Sequence, residues 1–191
     1  MMRAFIVRHG NTFAPHEEPR RIGARTDLPL VDSGRAQAEA LAAHFAARGV
    51  RFARCLCSPL LRTRQTAAIV APDCTIEPTG WLREIDHGPD ENRTEAQVIA
   101  RIGAPALRAW EENAEPPPGW TVDAEARLEA WRTWLTTPPP GDTLLVTSNG
   151  AARYARLVLD LPPAKLRTGA FGEVSWEGGK AEINRWDVRP N

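Results

Sequence analysis

Ala4-Phe5-Ile6-Val7-Arg8-His9-Gly10-Asn11-Thr12 runs four apolar residues straight into an arginine, a histidine and a glycine. Four consecutive apolar side chains suit a strand buried on both faces, the kind found inside parallel α/β sheets. Residues just past the carboxyl end of such a strand face the crevice where these sheets hold ligands, so His9 is placed for chemistry. A neutral imidazole attacks phosphorus well, and a neighbouring guanidinium neutralises phosphoryl oxygens and grips them in a fork. Gly10 lets the backbone pass close to a bound anion.

Outward from that stretch, strand and helix alternate. An Ala-rich helix is predicted over residues 33–49, opened by Asp32 or Ser33 as cap and stopped by Gly49. Residues 54–58 predict a second strand, 60–71 a helix and 75–78 a short strand. A helical region follows over about 94–114, with Val98, Ile102 and Leu107 spaced for one apolar side. Glu115 to Gly119 holds three prolines and reads as a linker within the domain. The next helix, 123–136, carries Leu128, Trp131, Trp134 and Leu135 at helical spacing, a core stripe rather than a substrate platform. Pro138-Pro139-Pro140-Gly141 breaks it; residues 143–147 predict a strand and 149–160 the last helix. Glu173-Val174-Ser175-Trp176 and Ala181-Glu182-Ile183-Asn184 alternate at period two around Gly178-Gly179, which is a hairpin signal. The order predicts an α/β protein: a three-layer α/β/α sandwich with a mostly parallel central sheet and an antiparallel C-terminal edge hairpin. A single domain over residues 1–191 is expected.

Composition narrows the partners. With 42% hydrophobic and 25% charged residues in 191, the chain has the make-up of an ordinary globular protein. Its 24 basic and 24 acidic residues cancel, so no general field draws nucleic acid or a membrane surface. No run of about 18 apolar residues occurs and the N-terminus lacks a signal-peptide layout, which makes a cytoplasmic protein the expectation. Cys55, Cys57 and Cys74 are an odd set without framework spacing, and Cys55 and Cys57 share one strand face as packing residues. There is no P-loop, dinucleotide fingerprint or Cys/His metal spacing; neither cofactor nor metal is expected.

Three further motifs follow in order: Leu28-Pro29-Leu30-x-x-x-Gly34-Arg35-x-Gln37-Ala38, Ser58-Pro59-Leu60-x-Arg62-Thr63-x-x-Thr66-Ala67, and Leu82-x-Glu84-Ile85-x-x-Gly88. With Arg8-His9-Gly10, these segments resemble the histidine phosphatase superfamily, its phosphoglycerate-mutase-like branch, over about residues 4–160. The resemblance implies that His9 is transiently phosphorylated, that Arg8 and Arg62 bind phosphate, and that Glu84 donates a proton. A transferred phosphoryl spreads charge over three oxygens and needs cations more than covalent help, which agrees with those roles. Arg62 falls in the first turn of its helix, where the helix amino end also favours an anion. Double duty as proton donor and acceptor predicts a Glu84 carboxyl with a raised pKa. The stretch from Glu84 to about Gly119 is expected to arch over the crevice as a cap-like insertion that selects substrate.

One departure from the family pattern concerns a second histidine. The family carries His-Gly-Gly after a late strand, whereas this chain reads Thr147-Ser148-Asn149-Gly150-Ala151-Ala152-Arg153. Ser148 takes the histidine's place when Gly150 and Arg153 are aligned to the second glycine and the basic residue; a one-residue slip puts Asn149 there. Either keeps hydrogen bonding and gives up a charge, a loss worth about 10² to 10³ in rate. Asn11 is assigned to phosphate contact. Thr12 either contacts phosphate or caps its loop. His87 is read as a loop residue rather than a metal ligand or stand-in for the missing histidine, and His44 as structural. His16, Arg20 and Arg21 lie in a loop that borders the crevice or is solvated. The reading is a metal-independent phosphomonoesterase for a small phosphorylated substrate, working through phosphohistidine at His9. Its alternatives are a phosphate-binding or regulatory pseudoenzyme and a phosphoglycerate-type mutase. Substrate identity and oligomeric state are not written in these residues.

Overall fold

The computed structural model describes residues 2–190. The chain opens with β1 (Arg3–Arg8), β2 (Arg20–Arg21) and α1 (Asp32–Ala47), followed by β3 (Arg54–Cys57), α2 (Leu61–Val70) and β4 (Ile76–Pro78). Then come β5 (Arg93–Thr94), α3 (Glu95–Ile102), α4 (Ala104–Asn113) and α5 (Ala124–Thr136), and last β6 (Thr143–Thr147), α6 (Asn149–Val158), β7 (Phe171–Glu177) and β8 (Lys180–Val188). Six strands form one sheet in the order β4-β3-β6-β1-β7-β8. The first four run parallel, while β7 lies antiparallel to β1 and β8 antiparallel to β7. The α/β sandwich with an antiparallel edge pair is therefore the architecture read from the sequence.

Strand alternation sorts the core onto two faces. Ala4, Ile6, Leu56 and Leu145 join a cluster with Trp131 and Leu135 of α5 and Ala152 and Tyr154 of α6. Phe5, Val7, Cys55, Cys57, Leu144 and Val146 join the opposite cluster with Leu41 and Phe45 of α1 and Ala67 and Val70 of α2. Burial pushes the Cys55 and Cys57 thiols up to about 12, which keeps both inert. The Trp131 and Leu135 stripe is core, as its spacing implied.

Local details depart from the sequence reading. The helix expected over 94–114 is two helices, because Gly103 adopts φ 83 and ends α3 in a conformation that only glycine takes readily. Neither Asp32 nor Ser33 caps α1: the helix begins at Asp32, behind Val31, without a side-chain cap. The two-residue ladder β2–β5, too short to leave a periodic signal, pairs Arg20 with Thr94 and Arg21 with Arg93. It ties the loop after β1 to the segment that follows Glu84. Gly178 and Gly179 both have positive φ, as a tight hairpin turn requires. No helix among the described residues is long and apolar enough to cross a membrane.

Candidate active site

β1 and β6 are neighbours, with β3 on the far side of β6, and the carboxyl ends of β1 and β6 open on one cleft of about 690 Å³. Register fixes the meeting point: Arg8 lies opposite Thr147, and the His9 backbone N–H donates to the Thr147 carbonyl at 3.1 Å. His9, Arg8, Asn11, Thr12, Glu84, His87, Asn149, Gly150 and Arg153 all line the cleft.

The motif residues build the loop that holds His9. Gly10 donates its N–H to the Thr66 hydroxyl at 3.1 Å, and that hydroxyl donates to the Arg62 carbonyl one turn earlier in α2. The Asn11 N–H donates to the Gln37 side chain at 2.8 Å. A β-carbon on Gly10 would lie 2.2 Å from the Gly34 carbonyl oxygen, and one on Gly34 would lie 2.1 Å from that of Asn11. The first turn of α1 thus packs backbone against backbone on the nucleophile loop, which accounts for both glycines.

The imidazole itself is oriented without ambiguity. Nδ1 of His9 sits 2.8 Å from the Gly10 carbonyl oxygen. A carbonyl only accepts, so Nδ1 carries the proton and Nε2 keeps its lone pair. Arg62 donates Nε–H to that Nε2 at 3.3 Å, with Nη1 and Nη2 bound to the carbonyls of Thr26 and Gly23. Arg62 is wholly buried beside the ring. Burial first, and then the Arg62 and Arg8 guanidinium groups, hold the His9 pKa well below the usual histidine value, so the ring is neutral at physiological pH. Arg8 is fixed by Nη1 donating to the Leu166 carbonyl at 2.9 Å; burial pulls it down to about 10, still cationic.

Glu84 enters from a loop pinned to β6 by the Thr147 hydroxyl, which donates to the Leu82 carbonyl at 2.6 Å. Its carboxylate accepts the N–H of Ile85 at 2.9 Å and of Gly150 at 3.3 Å. Gly150 has to be a glycine here, since a β-carbon would lie 2.3 Å from Glu84 Oε1. The raised pKa expected for Glu84 is not what this arrangement produces. Burial alone would raise it, but His87, the Ile85 N–H, Arg62 and Arg8 outweigh that effect and hold it below the ordinary glutamate value.

At the β6 end the two candidates separate. Ser148 is fully buried, its hydroxyl has no partner among the described residues, and it does not line the cleft. Asn149, the first residue of α6, does line it. Its Oδ1 accepts the Leu166 N–H at 2.8 Å, which assigns the amide and leaves its NH₂ group without a protein partner. Asn11 faces the cleft with much of its side chain engaged: Nδ2 donates to the Ser33 hydroxyl at 3.2 Å and Oδ1 accepts from Thr168 at 2.5 Å. Arg20 and Arg21 border the cleft and His16 does not. His44 packs against the rings of Phe45 and Phe171, away from the cleft.

Beyond aligning Arg153 to the family's basic residue, sequence reasoning gave no role to several residues found here. Arg153 stacks over Trp110 at 4.1 Å and donates to the Trp110 carbonyl, one turn along α6 from Asn149. That i, i+4 spacing was visible in the sequence. Thr168 and Lys165, from a loop with no regular structure, carried no signal.

A probable phosphoglycerate mutase GpmB of Yersinia pestis (strain Pestoides F) is 37% identical over 205 residues, covering 98% of this chain and 91% of that protein. A mycobacterial glucosyl-3-phosphoglycerate phosphatase superposes with TM-score 0.79 at 22% identity, over 99% of this chain and all of the other. The phosphoserine phosphatase of Entamoeba histolytica, solved with 3-phosphoglyceric acid, does so with TM-score 0.80 at 18% identity, over 98% of each chain. At such identities the two structures speak for the fold. Residues 4–189 match the histidine phosphatase superfamily (branch 1), and the chain belongs to that family.

Proposed function

We propose that the protein is a cytoplasmic, metal-independent phosphatase that hydrolyses a small phosphate monoester through phosphohistidine at His9. One observation carries the reading: Nδ1–H of His9 is bound to the Gly10 carbonyl, so Nε2 keeps the lone pair that attacks phosphorus, beside two guanidinium groups. That lone pair accepts from Arg62 Nε–H. A phosphoryl oxygen arriving at the same N–H takes over the hydrogen bond and releases the nitrogen for attack. Nε2 then bonds to phosphorus as the ester P–O bond breaks, and Glu84 protonates the departing alkoxide. Water next attacks phosphohistidine, gives its proton to the Glu84 carboxylate, and phosphate leaves with His9 restored. The substrate's negative charge raises the Glu84 pKa on binding, which supplies the protonated carboxyl that the leaving alkoxide needs.

Asn149 offers this site a neutral donor in the position read for a second histidine, so turnover is slower than an imidazolium would allow, by the same factor of about 10² to 10³. The GpmB relative favours a second reading, a mutase, in which phosphohistidine hands its phosphoryl group to an alcohol rather than to water. The test is to trap the intermediate. Labelled aryl or sugar phosphate, quenched in base without added metal, is expected to leave label on His9 that acid removes; His9→Ala is expected to take none. Label returning to a second sugar acid, instead of appearing as phosphate, would favour the mutase. Binding of phosphate with no label and no turnover would leave only a phosphate-binding protein.

A further inference from the structure

His87 has no part in the scheme above. It is 4% exposed, yet shares the cleft wall with His9, Glu84 and Arg153. Its Nδ1 is buried without a partner. The nearest carboxylate oxygen, Glu91 Oε1, is 3.9 Å away, beyond hydrogen-bond reach, and that carboxylate is engaged by the N–H groups of Gly23, Arg25 and His87 and the Thr26 hydroxyl. Trp120 packs edge-on against the ring at 4.5 Å. A β-carbon on Gly23 would lie 2.4 Å from Nδ1, and the Gly23 carbonyl holds Arg62 at 3.2 Å. The ring therefore stands one peptide unit behind the guanidinium that touches His9.

A residue chosen only to fill this space would be phenylalanine, because an unpartnered buried nitrogen costs about 1–3 kcal/mol. The charged groups facing the ring are balanced: carboxylates of Glu84 and of Glu91, guanidinium groups of Arg21 on β2 and of Arg62 on α2. Burial comes first among the influences and pulls His87 down to about 4, so the ring is neutral at neutral pH. A dianion entering beside Arg8 and Arg62 adds two negative charges and upsets that balance.

We infer that His87 is a further anion-binding residue of this cleft: it takes a proton from solvent when a dianion enters and supplies the positive charge that Asn149 cannot. The inference rests on the phosphate-site reading. One proton moves from water to the ring, and no bond of the ligand changes.

Sulfate is the probe, because it stays dianionic above about pH 3 and every proton counted belongs to the protein. The measurement is the Cε1–H resonances of the four histidines at about pH 6, with and without saturating sulfate. The signal missing from the spectra of His87→Gln and His87→Phe is expected to move to the imidazolium position when sulfate binds. Both variants are expected to bind sulfate roughly tenfold more weakly than the parent at that pH and to converge with it above about pH 8. Should neither variant fold, the parent spectrum still decides once His9, His16 and His44 are assigned from their own variants. Sulfate bound with the His87 ring neutral overturns the inference and leaves the phosphate pocket standing. No sulfate binding together with no aryl phosphate turnover overturns the pocket itself.

Discussion

β1 and β6 lie side by side, in register, and run out into the same cleft, yet the residues that follow them do different things. After β1 the backbone turns under α1 and α2, and the side chain it presents is an imidazole with one nitrogen protonated and one carrying a lone pair. After β6 the chain enters α6 directly; it buries a serine and presents a neutral amide. Equivalent strand ends in one sheet thus differ in charge, in reactivity and in how many contacts hold them. The sheet supplies the meeting place, and the residue at each end supplies the chemistry.

Exchanging the residue at each end measures that difference. His9→Asn is expected to lower kcat for aryl phosphate by about 10⁴ or more with the melting temperature little changed. A loss under tenfold would make the two ends equivalent. Gly150→Ala comes next, since its β-carbon would lie 2.3 Å from Glu84 Oε1 and 2.7 Å from Ile85 Cγ1. The displaced carboxylate is expected to reduce kcat about 10²-fold, and urea unfolding to show a loss of about 1–3 kcal/mol.

Acidity separates the two ends as well. His9 stays neutral in the fold at pH values where the unfolded chain binds a proton, so the unfolded state gains protons first and stability falls as pH drops below about 6.5. His87 behaves the same way, down to about 4. Each contributes a slope of about 1.4 kcal/mol per pH unit, and urea titrations at successive pH values are expected to show a shallower slope in His9→Asn and an unchanged one in Asn149→Ala. Asn149→Ala itself is expected to weaken phosphate binding or kcat about tenfold, the worth of one hydrogen bond to a charged ligand. Ser148→Ala is the smallest: it removes an unpartnered hydroxyl, and unfolding is expected to stay within about 0.5 kcal/mol of the parent. A large kinetic loss there would put the serine, not the asparagine, at the anion.

The two central strands were legible because their burial on both faces leaves unbroken apolar runs, Ala4 to Val7 and Leu144 to Val146. His9, Arg8 and Glu84 were legible as parts of motifs, and each does reach the cleft. Arg62 was legible in its motif as a phosphate-binding arginine, but its anchoring to two carbonyls and the imidazole is encoded by no local pattern. The sequence left Ser148 and Asn149 open, since a one-residue slip is invisible until the backbone of α6 sets which side chain turns outward. Glu84's low pKa was beyond reach for a similar reason: against the effect of burial it depends on His87, the Ile85 N–H, Arg62 and Arg8, which only the fold brings together. Gly103 was in plain view, yet an apolar pattern that continues across a glycine reads as one helix rather than two.

Leu166 has a wider consequence. Its carbonyl accepts from Arg8 and its N–H donates to Asn149, so one peptide residue in an irregular loop braces a side chain from each strand end. A shift of that loop moves the cation and the amide together, in step, while His9 stays anchored to its own neighbour. Redesign of the loop around residue 166 therefore acts as a tuning screw for anion grip, separable from the reacting nitrogen.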